Sequence, residues 1–583
     1  MPHFIVLVGD YQHVTETGLA LTDAALRACG MELRFRFSTV RIFASPDARI
    51  LPIPGRGLVI GHLFSHAGQL VDSLELLESA LHPEKSLTRH LLESFWGEYL
   101  AIDFSDVSAH TFGVLRDPSG GIPCLYAFAD GAGFITSDIS IAADLGLYRR
   151  QVDWDAIVHG LCFPYLRTER TALLGINELL PGNHLLYENG HPSVRVAWSP
   201  WRFLQEGVRH RDLRAAAKEV REAVSTAVMA LAALDSEVVL EISGGLDSSI
   251  VAAALQNTAA RVTYCTLVIP GAGVDERQYA MLMANVAGQE LKVLNVEVEH
   301  ARFCFPANPQ AAVPSIGVLQ NSVNEVWTAA GTRLGAQSFF SGGGGDSVFC
   351  YLKNATPAVD AYLERGIGAC VKAIGDLSRL HQCTFWKAGR LTVKKLTQQQ
   401  RQGWKLDSSF INATKIPKCH ERHPWLEPHA HTLPGDCQKV FELIGTQIFR
   451  DAAPRGERRP MRLPLLSQPV MEACLKIPTW MWISDGRNRA VARAAFADKL
   501  PDGVLNRRSK GTYTSYMSAI YTQNRVNMRQ FLKDGQLTSH DLLDWHALDA
   551  FFDAELAPRD LSFVRIFDLC MFENWIQGCG PQH

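Results

Sequence analysis

Val238-Val239-Leu240-Glu241-Ile242-Ser243-Gly244-Gly245-Leu246-Asp247-Ser248-Ser249-Ile250-Val251-Ala252-Ala253-Ala254 is the stretch that decides the fold. Residues 238–242 form a short apolar run of strand length, and residues 248–255 read as a helix. Between them, Gly244 and Gly245 let the backbone approach an anion closely, while Ser248 and Ser249 open a helix whose free N–H groups point the same way. Such a loop holds phosphate. It is not a Walker A loop, because no lysine follows the glycines and the spacing is too short. Asp247 supplies the missing element, since a carboxylate among phosphates is repulsive unless it holds a divalent cation. A plain β-turn before a serine-capped helix would use the same residue types. The context favours the phosphate reading.

That context is strand and helix in alternation. After residue 255 come a strand over 262–269, a helix over 276–287 and a strand over 291–298, which predicts a parallel, doubly wound sheet. The loop then sits at the carboxyl end of the first strand, where open parallel sheets bind ligands. A second glycine loop, Ser341-Gly342-Gly343-Gly344-Gly345-Asp346, follows strand-like residues 337–340. Beyond about 350 the chain reads as helical, with aromatic-rich segments at 471–482 and 545–575, and a helical lobe on the sheet is expected. Trp480, Trp482 and Phe572 in these segments either line a groove or belong to the core, and core is the commoner fate of such residues.

Upstream, residues 1 to about 200 carry short apolar runs broken by Gly, Pro and Asp, at 4–8, 98–104, 111–115, 122–127 and 133–136. A β-rich sandwich is expected there, with a helical period over 70–81. Trp198-Ser199-Pro200-Trp201 precedes a long helical segment from Arg211 to about Leu234. This divides the chain into 1–205 and 206–583.

Composition bounds the function. At 583 residues the chain exceeds one hydrophobic core. A net charge of -3 and a pI near 6.7 offer no basic track for nucleic acid or an anionic membrane. The first ten residues lack a cationic start and a cleavage site, no apolar run reaches bilayer length, and a cytoplasmic location is expected. Thirteen cysteines without a CxxC pair predict reduced thiols. Cys419, His420, His423, His429, His431 and Cys437 crowd one stretch, but their spacing fits no standard zinc finger and a Pro/His-rich surface loop is the expected form.

The motif Ser243 to Ser249 resembles the SGGxDS signature of the ATP pyrophosphatase group, and the chain as a whole resembles the asparagine synthetase superfamily. Asp275-Glu276 with Tyr279-Ala280, the second glycine loop, Arg462-Leu463-Pro464-Leu465-Leu466, and Arg507-Arg508-Ser509-Lys510-Gly511 match its further landmarks in order. The resemblance implies ATP as cosubstrate and Mg2+ as metal. It assigns nucleotide binding to Ser243, Gly244, Gly245, Leu246, Asp247, Ser248, Ser249, Ser341, Gly342 and Gly343, and metal binding to Asp247 and Asp346. Asp247, Asp346 and Lys510 become the catalytic candidates, Lys510 by stabilising charge that develops near the acyl-adenylate.

The amino-terminal part resembles the glutaminase (Ntn-type) domain of asparagine synthetases at Arg116 to Tyr126, Phe134 to Asp138 and Leu180 to His184. A glutaminase of that group carries a nucleophilic cysteine directly after the initiator methionine. Here that residue is Pro2, and the first cysteine is Cys29. Glutamine hydrolysis is therefore not expected. The family's glutamate three residues before the second aspartate is Gly343 here, which suits a bulky acyl acceptor. Together these departures resemble the lasso peptide macrolactam synthetases. They imply a leader-cleaved precursor peptide as substrate, with a leader-binding protein and a transglutaminase-like leader peptidase as partners. Ammonia-dependent amidation of a small acid is the alternative, and a silent nucleotide-binding scaffold a third reading. Tyr351, near the second loop, is a weak candidate for the base that deprotonates the amine.

Overall fold

The structure is a computed structural model, and it describes residues 3–580 except 10–22, 38, 74–85, 105–110, 270–274, 298–300, 305–307, 316–320, 398–403, 429–431, 452–458, 509–513 and 558–559. Pro2 and Lys510 lie outside the described residues. So does most of the helix expected over 70–81. Its described start is not helical, for Leu70 forms a β-bridge with Phe64 instead.

The amino-terminal region is a sandwich of two six-stranded antiparallel sheets. One runs Asn177–Glu178, Leu125–Ala129, Ala132–Thr136, Phe4–Val8, Val40–Ala44, Glu32–Phe37 in spatial order. The other runs His191–Val196, Asn183–Glu188, Phe112–Arg116, Phe95–Asp103, Gly57–Ser65, Ile50–Ile53. Strand Phe4–Val8 is buried along its whole length, and period-2 geometry explains how both faces are used. Phe4, Val6 and Val8 enter the core between the sheets, whereas Ile5 and Leu7 enter a second core shared with the rest of the molecule. Each such buried aliphatic side chain is worth roughly 1.5–3 kcal/mol.

The second region is built on a five-stranded sheet, ordered Leu291–Asn295, Arg261–Val268, Glu237–Glu241, Ser338–Phe340, Met461–Arg462, with every pairing parallel. Val238, Val239 and Leu240 are buried on both faces, which is why the central strand reads as an unbroken apolar run. From Glu237–Glu241 the chain winds outward to one side, then returns to place Ser338–Phe340 on the other. That reversal opens a crevice at the carboxyl ends of these two strands, the usual ligand position in open parallel sheets. Helix Leu213–Ala232, capped by Asp212 through the Ala215 N–H at 2.8 Å, buries Ala216, Val220, Val224, Ala227 and Leu231 along one face.

Buried polar contacts join the two regions. Trp198 Nε1 donates to Glu472 at 2.8 Å and Trp201 Nε1 to the Trp425 carbonyl at 3.0 Å. Glu98, on strand Phe95–Asp103, accepts from Arg450 at 2.7 Å and from Arg462 at 3.1 Å. Burial pushes the Glu98 carboxyl up, but the two guanidiniums outweigh it and hold the group below the usual range. Removing this anion takes away the partner that Arg450 and Arg462 share, Arg462 keeping its longer pair with Asp235 at 3.5 Å. Glu98→Ala is therefore expected to cost about 3–5 kcal/mol, read as a lowered denaturant midpoint. Because the folded value is depressed, the stabilisation is present above the unfolded carboxyl range and is lost as acid protonates Glu98 in the folded protein. The wild type should thus lose stability toward low pH more steeply than Glu98→Gln.

Candidate active site

The first glycine loop follows strand Glu237–Glu241 and leads into helix Leu246–Leu255. The helix begins two residues earlier than the sequence pattern suggests, because Gly245 takes the extended N-cap conformation (φ -73°, ψ 160°). Asp247 and Ser248 therefore lie in the first turn, beside the unsatisfied N–H groups. Gly244 has φ +65°, and a Cβ there would stand 2.6 Å from the Ala280 nitrogen, so no side chain fits. Ser248 Oγ closes the loop on itself, accepting from the Ser243 N–H at 3.3 Å and donating to the Gly245 carbonyl at 3.2 Å. Leu246 and Ser249 are buried and anchor the turn from below.

The second loop lies directly against the first. A Cβ on Gly342 would stand 2.5 Å from the Ser248 nitrogen, and one on Gly345 would stand 2.6 Å from Asp247 Cβ. Gly344, at φ +81°, caps the short helix Gly345–Val348, whose first turn carries Asp346. Ser341 Oγ accepts from the Gly343 N–H at 3.3 Å. Leu465 and Leu466 pack under Gly345 and Gly344, which accounts for the apolar half of the Arg-Leu-Pro-Leu-Leu segment. The space beside Gly343 is bounded rather than open: a Cβ there would meet Leu463 Cδ2 at 3.0 Å and Phe449 Cδ1 at 3.8 Å.

Asp247 and Asp346 converge on a single atom, Arg489 Nη1. The Asp247 oxygens lie 2.8 and 2.9 Å from it and Asp346 Oδ1 lies 2.8 Å from it. Arg489, unforeseen from the sequence, is buried and in the left-handed region (φ 53°) at the start of helix Ala490–Ala495. Its guanidinium rests over the Tyr351 ring at 5.0 Å, so Tyr351 supports this cation. The only sequence signal is a run of three arginines, Arg487, Arg489 and Arg493, that leads from an Asp-Gly turn into an alanine-rich segment. Arg493 donates to the Asn488 carbonyl at 3.0 Å, to that of Arg507 at 3.3 Å and to that of Leu505. Burial together with Arg489 and Arg487 pushes the Arg493 guanidinium down to about 10, against the pull of Asp247.

Two carboxylates gathered around one positive atom fit a divalent cation. Magnesium commonly takes one or two carboxylates and completes its shell with phosphate and water. Among the described residues no group of three or more His, Cys, Asp or Glu is placed to hold a metal ion, so phosphate oxygens would have to finish such a site. Arg507 clamps the first loop from outside, donating to the Gly244 carbonyl at 3.1 Å, stacking on Tyr279 at 4.0 Å and pairing with Glu276. Glu276 thus joins the site. Asp275 does not reach it through this network and pairs with Arg277 at 2.6 Å on the exposed surface.

The Cys/His stretch forms no metal group among its described residues. His423 is buried, its Nδ1 accepts from the Trp425 N–H at 3.0 Å, and burial pushes its imidazole down to about 3. Cys419 is exposed and Cys437 buried, and His429 and His431 lie outside the described residues. All thirteen cysteines are free thiols. Trp482 is core, packed on Phe349 at 6.1 Å, and Trp480 donates to Glu364 at 2.6 Å. No helix among the described residues is long and apolar enough to cross a membrane.

Among solved structures, the chain is similar to a glutamine phosphoribosylpyrophosphate amidotransferase from B. subtilis complexed with ADP and GMP. That match has 11% identity and a TM-score of 0.22, and covers 58% of this chain and 81% of the other. A structure of the allosteric regulatory enzyme of purine biosynthesis matches at 11% identity and a TM-score of 0.23, covering 58% and 89%. Overlaps this loose carry no argument about activity. No curated protein matches. The asparagine synthase family model matches residues 219–577, a span that contains both glycine loops, the crevice between them and Arg489. With that span exceeding half of the chain, the protein belongs to the asparagine synthase family, and its chemistry is ATP-dependent formation of a carbon–nitrogen bond.

Proposed function

We propose that the chain closes a macrolactam ring in a leader-cleaved precursor peptide, using Mg2+ and releasing AMP and pyrophosphate. The observation that carries the reading is the second loop. At Gly343 it presents backbone where the superfamily's small-acid enzymes place a glutamate, and the neighbouring wall is Leu463 and Phe449. An apolar wall suits a peptide better than free aspartate. Pro2 supports the reading as well, since it removes the thiol that would liberate ammonia from glutamine.

In the proposed reaction a side-chain carboxylate oxygen of the peptide attacks the α-phosphorus of ATP, and the bond to pyrophosphate breaks. The peptide's amino-terminal nitrogen then attacks the acyl carbon, loses a proton, and AMP departs. The first loop would bind the β- and γ-phosphates through Ser243 to Ser249, with helix N–H groups facing the charge. Asp247 and Asp346 would hold magnesium, whose charge offsets that of the departing pyrophosphate. Arg507 and Glu276 keep the first loop in register, and Lys510 is proposed to stabilise charge at the α-phosphate. Most of the rate would come from holding one amine against one carboxyl.

ATP/pyrophosphate exchange tests this directly. Exchange stimulated by a leader-cleaved peptide, with a product lighter by one water, is the expected result. Stimulation by free aspartate with ammonia, and not by peptide, would establish the small-acid reading instead, and no exchange with any acceptor would favour a silent scaffold.

A further inference from the structure

The geometry points to a second part of the active site, a subsite between the two regions that takes one large apolar side chain of the substrate. This rests on the peptide reading above. A cavity of about 110 Å³ lies where the amino-terminal sandwich meets the helical lobe. Engineered cavities of ~150 Å³ hold a single benzene, so this space suits one aromatic ring or branched aliphatic group and is too small for a folded peptide.

Its lining comes from both regions and carries an apolar patch set among polar groups. Phe163 and Leu166 line it from the amino-terminal side, and Val313, Ile448, Met571 and Phe572 from the other. Phe572, buried in the core as the sequence suggests, also forms part of this wall. The charged groups around the cavity are engaged with one another. Arg170 donates to Asp153 at 2.7 Å and pairs with Glu421 at 3.2 Å, while Arg565 pairs with Asp568 at 3.7 Å and donates to the Leu161 carbonyl at 2.8 Å. The apolar patch among these polar groups is what a bulky side chain would contact, and ammonia or another small amine has no use for it.

Position links the cavity to the chemistry. Ile448 lines it, and the next residue, Phe449, reaches within 3.8 Å of where a Cβ on Gly343 would stand. The cavity is thus joined to the loop that carries Asp346 through consecutive residues, Ile448 on its wall and Phe449 against Gly343. Tyr165 adds a second sign. It is a non-glycine residue held at φ 65°, lines the cavity and is 48% exposed, so it stands where the cavity wall meets solvent. Strained backbone of this kind is typically retained at ligand clamps. The amino-terminal region, without a nucleophile at residue 2, thereby keeps a role in the reaction by supplying one wall of the substrate subsite.

The test compares wild type with Met571→Trp, which fills the cavity from the helical lobe, and Leu166→Trp, which fills it from the opposite wall should the first variant fold poorly. The probe is a set of synthetic leader-free peptides, each with a free amino terminus, one Asp or Glu and bulky apolar residues, read by peptide-dependent exchange and, without ATP, by fluorescence anisotropy of the labelled peptide. A folded filling variant is expected to raise the peptide KM and Kd at least tenfold and leave the KM for ATP unchanged. Replacing the peptide's bulky residues with alanine one at a time should identify one whose loss weakens wild type but not the variant. Unchanged peptide KM and Kd in a folded variant would overturn the subsite while the macrolactam reading stands. Peptide binding that the variants weaken, with no peptide-stimulated exchange in wild type, would retain the subsite and overturn the macrolactam reading. Wild type that neither binds nor responds to the peptide would overturn both.

Discussion

Asp247→Asn is expected to abolish ATP/pyrophosphate exchange, by at least about 10²-fold, in a protein that still folds. The substitution keeps the shape of the side chain and removes its charge. In the structure both Asp247 oxygens face Arg489 Nη1, at 2.8 and 2.9 Å, and the carboxylate sits in the first turn of helix Leu246–Leu255. Asparagine can still accept a hydrogen bond from Arg489, and Asp346 keeps its own contact at 2.8 Å, so the loops have no reason to part. The cost to stability is limited to the lost ion pair and the helix-end interaction, the latter about 0.3–1 kcal/mol. What is lost is the second of two negative groups that would hold magnesium against phosphate. Thermal melting with and without Mg2+ and ATP supplies an independent reading: wild type should be stabilised by the pair, the variant much less. Full exchange activity in the variant would rule out the assigned role.

Gly342→Ala should be nearly as damaging through geometry alone. The added Cβ would stand 2.5 Å from the Ser248 nitrogen and 2.8 Å from the Asp247 carbonyl carbon. Both are backbone atoms, so no side-chain rotation relieves the overlap. The loops must separate, and Asp247 and Asp346 separate with them. A displacement of ~1 Å in a positioned group is enough for a loss on the order of 10²-fold, against an overpacking cost of about 1–3 kcal/mol in stability. Gly343→Ala is the control, because the one close neighbour of its Cβ would be the end of the Leu463 side chain at 3.0 Å, which can turn away, while Ser341 Oγ at 3.7 Å and Phe449 Cδ1 at 3.8 Å are ordinary contacts. Exchange rates within a few-fold of wild type are expected for Gly343→Ala. Equal damage in both variants would show that loop flexibility, and not loop contact, is the requirement.

These predictions depend on features that differ in how far they can be read from sequence. The parallel sheet is legible because Val238, Val239 and Leu240 must be apolar to lie buried on both faces, and the alternation of strand and helix leaves few topologies. Strand Phe4–Val8 is legible for the same reason. The helix start is misplaced by two residues in the sequence pattern, since Gly245 is a cap whose conformation is set by the loop and not by residue type. Phe572 reads as core by its composition and neighbours, and only the meeting of the two regions makes it a cavity wall. Asp275 and Glu276 look alike in sequence, yet one pairs on the surface with Arg277 and the other enters the site through Arg507.

Local sequence thus suffices for the two regions, the parallel sheet and the two glycine loops with their aspartates. Each of these follows from short-range rules: side-chain period, the backbone freedom of glycine and the place of a loop at a strand end. Long-range packing is needed to bring the loops into touch through Gly342 and Gly345, and to stand Arg489 between their carboxylates. Asp247 and Arg489 are 242 residues apart in the chain, and no local pattern encodes their meeting. It is set by the packing of helix Ala490–Ala495 against Leu213–Ala232, which carries Arg489 to the crevice.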